Sequence, residues 1–271
     1  MLTILNSISS LTAEDALSTT QADLQKTLTQ LSTGLKINSG SDDAAGLSIA
    51  NGLQANISAL TQSSQNASDG VGLLQTADGA LSQVTALLDR AVTLATEAST
   101  GGLSASQATA LDTEYQSILT EVSNIGSTTN YNGTAVFGTT ANVYTSDGTA
   151  AGSSTVSTTI NALTTAALGL TGTNLTSTAT AQTALADIST AISTVAANRG
   201  DIGASVNRLN ADTNVENTEV TNLTAAENNI QNADIGKTVA QMTQYSVLQQ
   251  TGMQALSQSN QAQQAILKLL Q

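Results

Sequence analysis

The sequence predicts a mainly α protein. It is read as a long antiparallel helical coiled-coil bundle with paired N- and C-terminal helices and a small β-hairpin region in the middle of the chain. Three observations lead there. Apolar residues recur at alternating steps of three and four in five segments, the coiled-coil period. Only five of the 271 residues are Phe, Trp or Tyr although 40% are hydrophobic, which suits thin helices packed side by side better than a ball. Residues Gly126 to Thr180 break the pattern, being rich in Thr, Ser and Gly with one charge, Asp147.

Along the chain, Leu17, Leu24, Leu28, Leu31 and Leu35 mark a first helix. Asn38 to Asp43 interrupts it with turn residues, followed by acids suited to the start of a second helix. Leu74, Ala77, Leu81, Val84, Leu88, Ala91, Ala95 and Ala98 then keep the heptad step. Paired glycines in Ser99-Thr100-Gly101-Gly102 end that run, since Gly costs about 1 kcal/mol against Ala inside a helix. Ser104 is placed to cap the next helix, whose face is Leu111, Tyr115, Ile118, Val122 and Ile125. Tyr131-Asn132-Gly133-Thr134 carries a hairpin turn, with β-formers Val136 and Phe137 after it. Val143-Tyr144-Thr145 leads into a turn at Asp147-Gly148, and Val156 to Ile160 reads as another strand.

The return path is helical. Leu185, Ile188, Ile192 and Val195 repeat the step, as do Val206, Leu209, Thr213, Glu216, Val220, Leu223, Glu227 and Ile230. Thr238 to Leu267 then holds no charge and nine glutamines. Helices that run out, turn and return bring the two ends of the chain together in an antiparallel layout. Both terminal segments have few charges and a sparse apolar face, and isolated helices are marginal in water. Two readings stand: they take shape against neighbouring copies, or they dock on their own domain.

Composition excludes several functions. Without His or Cys, the usual zinc sites, Ser-His-Asp and Cys-His catalysis, histidine switches and disulfides are gone. The net charge of −13 opposes binding to phosphate backbones, so no nucleic-acid partner is expected. No run approaches the ~18 apolar residues of a membrane span. Met1 to Asn6 lacks a basic n-region followed by an apolar stretch, so no cleaved signal peptide is expected. Asp42-Asp43 lacks the further ligands of a cation site, and Ser39-Gly40-Ser41 lacks the lysine of a phosphate loop. No catalytic residue, metal or cofactor is expected.

The run Leu31-Ser32-Thr33-Gly34-Leu35-Lys36-Ile37-Asn38-Ser39-Gly40-Ser41-Asp42-Asp43-Ala44-Ala45-Gly46-Leu47-Ser48-Ile49-Ala50 resembles the N-terminal signature of bacterial flagellin. Asn66 to Gly70, Ala77 to Leu81 and Tyr131 to Thr134 resemble the blocks that follow. Arg199 to Leu209 is similar to the family's C-terminal signature, and so are Leu256 to Gln261 and Ile266 to Leu270. The chain departs from the family at Ala262, Gln263 and Gln264, where many relatives carry Pro, and at Met1 to Ser10.

The resemblance implies a subunit of the extracellular bacterial flagellar filament, exported unfolded through the flagellar type III apparatus. It implies an inner terminal-helix domain of 1–45 with 236–271 and an outer helical domain of 46–235, with a short variable insertion at about 126–180. Implied partners are copies of itself, the flagellar cap and hook–filament junction proteins, and an export chaperone. Leu24, Leu28, Leu31, Leu35, Leu248, Leu256, Ile266 and Leu269 are the expected subunit-interface residues. The tail glutamines either line a central channel or bond between subunits. Arg90, Leu94 and Glu114 match positions at which relatives are bound by a Toll-like innate receptor, while an ion pair to Asp89, Glu97 or a neighbour is the plainer role for Arg90. Ser and Thr within 139–180 are candidate O-glycosylation sites. Asn-X-Ser/Thr at Asn56, Asn66, Asn132, Asn174 and Asn222 carries little information in so polar a chain. Other readings are a hook–filament junction protein and a secreted coiled-coil adhesin. A protease-bearing form needs His-Glu-X-X-His, which is absent.

Overall fold

The computed structural model describes residues 8–147 and 154–269, without the side chains of 9, 263 and 266–269. Among the described residues there are five helices: α1 Ile8–Thr33, α2 Ala44–Ala98, α3 Ala105–Thr128, α4 Thr178–Gln231 and α5 Ile235–Leu269. Between α3 and α4 lie β1 Asn130–Tyr131, β2 Thr134–Ala135, β3 Thr139–Tyr144 and β4 Thr155–Ile160. The chain forms two compact units, Met1–Ala55 with Asn222–Gln271, and Asn56–Thr221. The division falls inside α2 and α4.

Thr and Ser are frequent in these helices, although both compete with the backbone for hydrogen bonds. Here many hydroxyls donate back to the carbonyl four residues earlier, as Thr76 does to Gly72, Thr93 to Asp89 and Thr213 to Leu209. Helix starts use the polar residues placed there. Ser104 and Gln107 form a reciprocal capping box on α3. Asp43 accepts the Gly46 N–H at the start of α2. Gly34 ends α1 at φ +75°, donating to the Gln30 carbonyl.

The larger unit holds the core. All eight heptad residues of α2, Leu74 to Ala98, are buried. Tyr115, Ile118 and Val122 of α3 meet them. The seam of α4 is Ala181, Ala184, Ile188, Ala191 and Val195, a three-four series whose register includes alanines; Leu185 and Ile192 flank it, half-buried. Cross-contacts descend α4 as they ascend α2, Ser63 to Glu216 and Asp78 to Arg199, so the two run antiparallel.

The hairpins pack on this bundle. Asn132 (φ 50°) and Gly133 (φ +78°) make the tight two-residue turn between β1 and β2, as the Asn-Gly pair requires. Val136 and Phe137 are not strand residues; both are buried in the core. β3 pairs antiparallel with β4 from Thr139↔Ile160 to Tyr144↔Thr155. The turn expected at Asp147-Gly148 lies partly outside the described residues. Close hairpin approach explains two glycines inside α2. A Cβ on Gly70 would sit 2.5 Å from Val143 Cγ2, and one on Gly72 would sit 2.9 Å from the Tyr131 hydroxyl.

Candidate interaction surface

The terminal unit is built differently. α1 and α5 pair antiparallel: Ser10 bonds Ser259 at 2.8 Å, and Leu17 lies over Gly252, where a Cβ would approach its Cδ1 to 3.3 Å. Small residues, Ala13, Ala16, Gly252 and Ala255, line a shallow groove along the pair. Among the described side chains of the two helices, Thr27 and Thr238 are the most buried, and each returns its hydroxyl to its own helix. The loops that end the helices are cross-tied. Lys36 N–H donates to the Gln231 carbonyl (2.7 Å), Ala233 N–H donates to the Gly34 carbonyl (2.9 Å), and Leu35 bridges Asn232.

Asp42 anchors the α1–α2 loop. Its carboxylate takes a 2.8 Å ion pair from Lys26 and accepts the backbone N–H groups of Asn38 and Ser39 at 3.1 Å. The Lys26 hydrogen bond first, then the Asn38 N–H, hold this carboxyl down at about 2 from 3.8. Asp42 and Asp43 thus fix the loop's geometry. Among the described residues no group of three or more acidic, His or Cys side chains is placed to hold a metal ion.

Burial separates the two units sharply. Among the described residues, the terminal unit buries only two apolar side chains, Ile37 and Ala50. Nine others, Ile8, Leu11, Leu28, Ile49, Ile235, Val239, Val247, Leu248 and Met253, stay 40–79% exposed. At 1.5–3 kcal/mol for burying one such side chain completely, and about half of each still wet, roughly 7–14 kcal/mol of burial is left unrealised in one chain. That matches the ~4–15 kcal/mol cost of association, so a stable contact must cover most of the set. Single exposed apolar residues are ordinary; nine on a unit whose described residues bury only two mark a binding surface.

Of the expected interface residues, Leu28 and Leu248 are exposed, while Leu24, Leu31, Leu35 and Leu256 are half-buried. The side chains of Ile266 and Leu269 lie outside the described residues. Leu11, Ile49, Ile235, Val247 and Met253 escaped the sequence reading, because nothing in a heptad pattern tells a self-buried position from one awaiting a neighbour. Gln241 and Gln249 are half-buried; Gln244, Gln250, Gln254, Gln258, Gln261 and Gln264 are exposed.

On the larger unit, Arg90 and Glu114 join α2 to α3 through a 2.7 Å ion pair with both side chains about half-exposed. Leu94, expected beside them, is 1% exposed and belongs to the core, so it offers no surface. Among the described residues no helix is long and apolar enough to cross a membrane.

Comparison with known proteins places this architecture. Residues 4–142 match the model of the bacterial flagellin N-terminal helical region, and 185–270 that of the C-terminal helical region. A flagellin of Halalkalibacterium halodurans is 31% identical over 249 residues, 91% of each chain. Flagellin 1 of Proteus mirabilis is 39% identical over 127 residues, 47% of this chain and 35% of that protein. The crystal structure of Bacillus cereus flagellin aligns with TM-score 0.50 and 31% identity, covering 60% of this chain and 94% of that one.

Proposed function

Because this chain belongs to the bacterial flagellin family, it is a structural subunit of the flagellar filament, and we propose that the unit of Met1–Ala55 and Asn222–Gln271 builds the filament core. The supporting observation is the burial balance among its described residues: two buried apolar side chains against nine exposed ones. Repeated head-to-tail contacts that do not close give an open helical polymer. In that polymer α1 and α5 acquire their stability from neighbouring copies, with Leu24, Leu28, Leu31, Leu35, Leu248, Leu256, Ile266 and Leu269 at the contacts. The larger unit, whose core is complete, forms the outer domain and takes no part in catalysis. The subunit leaves the cell through the flagellar type III apparatus, meeting an export chaperone before it and the cap and hook–filament junction proteins after it.

The test is a chain ending at Gly236. It is expected to remain soluble and folded in its larger unit, and to give no filaments in electron microscopy after seeds of the intact protein are added. Filament growth from that fragment would refute the assignment.

Recognition by a Toll-like innate receptor rests on Arg90 and Glu114, which are exposed as a linked pair; buried Leu94 supports the helix beneath them. Arg90→Ala in a receptor reporter-cell assay is expected to lower the response. A wild-type protein that elicits none removes the claim.

A further inference from the structure

Among its described residues, the larger unit buries one carboxyl group where an apolar seam residue belongs. Glu216, on α4, is 5% exposed. Its Oε1 lies 2.5 Å from Ser63 Oγ of α2, and Ser63 Oγ lies 3.3 Å from the Tyr144 carbonyl of β3. Glu216 Oε2 and, one turn earlier, Asp212 Oδ2 have no hydrogen-bond partner among the described residues.

Protons decide how this cluster is wired. Ser63 has one hydroxyl proton and two acceptor oxygens within reach. With Glu216 ionised, one of those two contacts holds no proton, and a buried charged oxygen has no donor, which is costly in a low-dielectric site. With Glu216 protonated the contacts fill in series: Glu216 donates to Ser63, and Ser63 donates to Tyr144. The charges acting on Glu216 favour the same state. Burial, the largest influence, pushes its carboxyl above the ordinary value of 4.5; the Ser63 hydrogen bond acts against that, and Asp212 and Glu219, both on α4, add to it by repelling the ionised form. What reaches it from α2 and β3 is neutral, the Ser63 hydroxyl and through it the Tyr144 carbonyl.

We propose that Glu216, Ser63 and the Tyr144 carbonyl form a proton-dependent latch that fastens the β3–β4 hairpin to α2 and α4, and that withdrawing the Glu216 proton opens it. Its sign follows from linkage. A carboxyl that binds its proton more tightly when folded contributes stability fully present below its unfolded value and lost as pH rises through its folded value. Alkaline solution therefore loosens the hairpin while the apolar seam, which holds no proton, persists.

The test uses the full-length monomer, Glu216→Gln and Ser63→Ala. Gln keeps an N–H donor toward Ser63 at every pH. Amide exchange at Thr145, which donates to the Ser154 carbonyl at 2.8 Å, reads the hairpin. The ratio of wild-type to Glu216→Gln protection, taken at matched pH, is expected to fall about tenfold per pH unit above the ordinary carboxyl value of 4.5 and to level off once the closed-state carboxyl ionises, while Ser63→Ala, in which Glu216 is still buried, starts from a lower protection and keeps a falling ratio. Infrared difference spectra, which do not depend on hairpin folding, are expected to show a protonated carboxylic acid in wild type that Glu216→Gln lacks. A pH-independent wild-type ratio or the absence of that acid band overturns the proposal. So does an increase in the wild-type ratio on adding calcium at fixed pH, which would put a cation rather than a proton between the unpaired oxygens.

Discussion

Leu248→Ala separates what a subunit needs to fold from what it needs to polymerise. Leu248 is 45% exposed in α5. Truncation removes three carbons, about 2.4 kcal/mol of complete burial at ~0.8 kcal/mol each. The exposed share, about 1.1 kcal/mol, is available only to a contact with another copy, and its loss corresponds to an affinity roughly sixfold weaker. The lowest concentration at which seeded filaments elongate is therefore expected to rise about sixfold. The melting of the larger unit is expected to stay where it was, because Leu248 lies outside it. The companion variant is Leu88→Ala, at a fully buried seam position. It should cost about 2–5 kcal/mol of monomer stability, a large part of the ~5–15 kcal/mol a domain usually has. Seeded growth followed by light scattering and monomer melting followed by circular dichroism read the two effects. The reasoning fails if Leu248→Ala leaves the elongation threshold unchanged, or if it lowers the melting temperature of the larger unit as far as Leu88→Ala does.

Gly126→Ala is expected to destabilise by about 1–3 kcal/mol in urea unfolding, despite the ~1 kcal/mol that Ala gains in a helix; the new Cβ would lie 1.9 Å from the Leu163 carbonyl oxygen, a backbone atom that cannot turn aside. The Asp42 carboxyl is expected to titrate at about 2 by NMR, and Lys26→Met should return it toward 3.8. Because its folded value is depressed, the stability it lends is present above 3.8 and lost as pH falls toward 2. Tyr115→Phe, which removes the 2.6 Å hydroxyl contact to Thr173, should cost about 0.5–1.5 kcal/mol in the same urea assay.

The seam of α2 was legible because Leu, Val and Ala there face a partner inside the same chain, so period and burial coincide. Ser104 and Asn132-Gly133 were legible because caps and tight turns depend on residues next to each other. The α4 seam was read partly off register: Leu185 and Ile192 outrank Ala181, Ala184 and Ala191 in hydropathy, yet close helix packing selects the small side chains for the contact line. Gly70 and Gly72 look like helix breakers until the hairpins that press on them are in place. Ser63 and Glu216 lie 153 positions apart, so no local pattern joins them, although a Glu on an apolar stripe was already out of place. Leu94 shows the converse. A resemblance matched it to a receptor-bound position, while its place three residues after Ala91 puts it on the buried face, 1% exposed.

The fastening between Gly34–Lys36 and Gln231–Ala233 is made of main-chain groups, which nearly every amino acid supplies alike. Drift in the side chains of five of these six positions leaves it tied. The exceptions are Gly34, whose φ of +75° favours glycine, and an imino acid at 36 or 233, which would delete a donor. Two segments almost two hundred residues apart in the chain are thereby held together by a joint indifferent to vocabulary, so they are free to diverge in composition without losing their alignment.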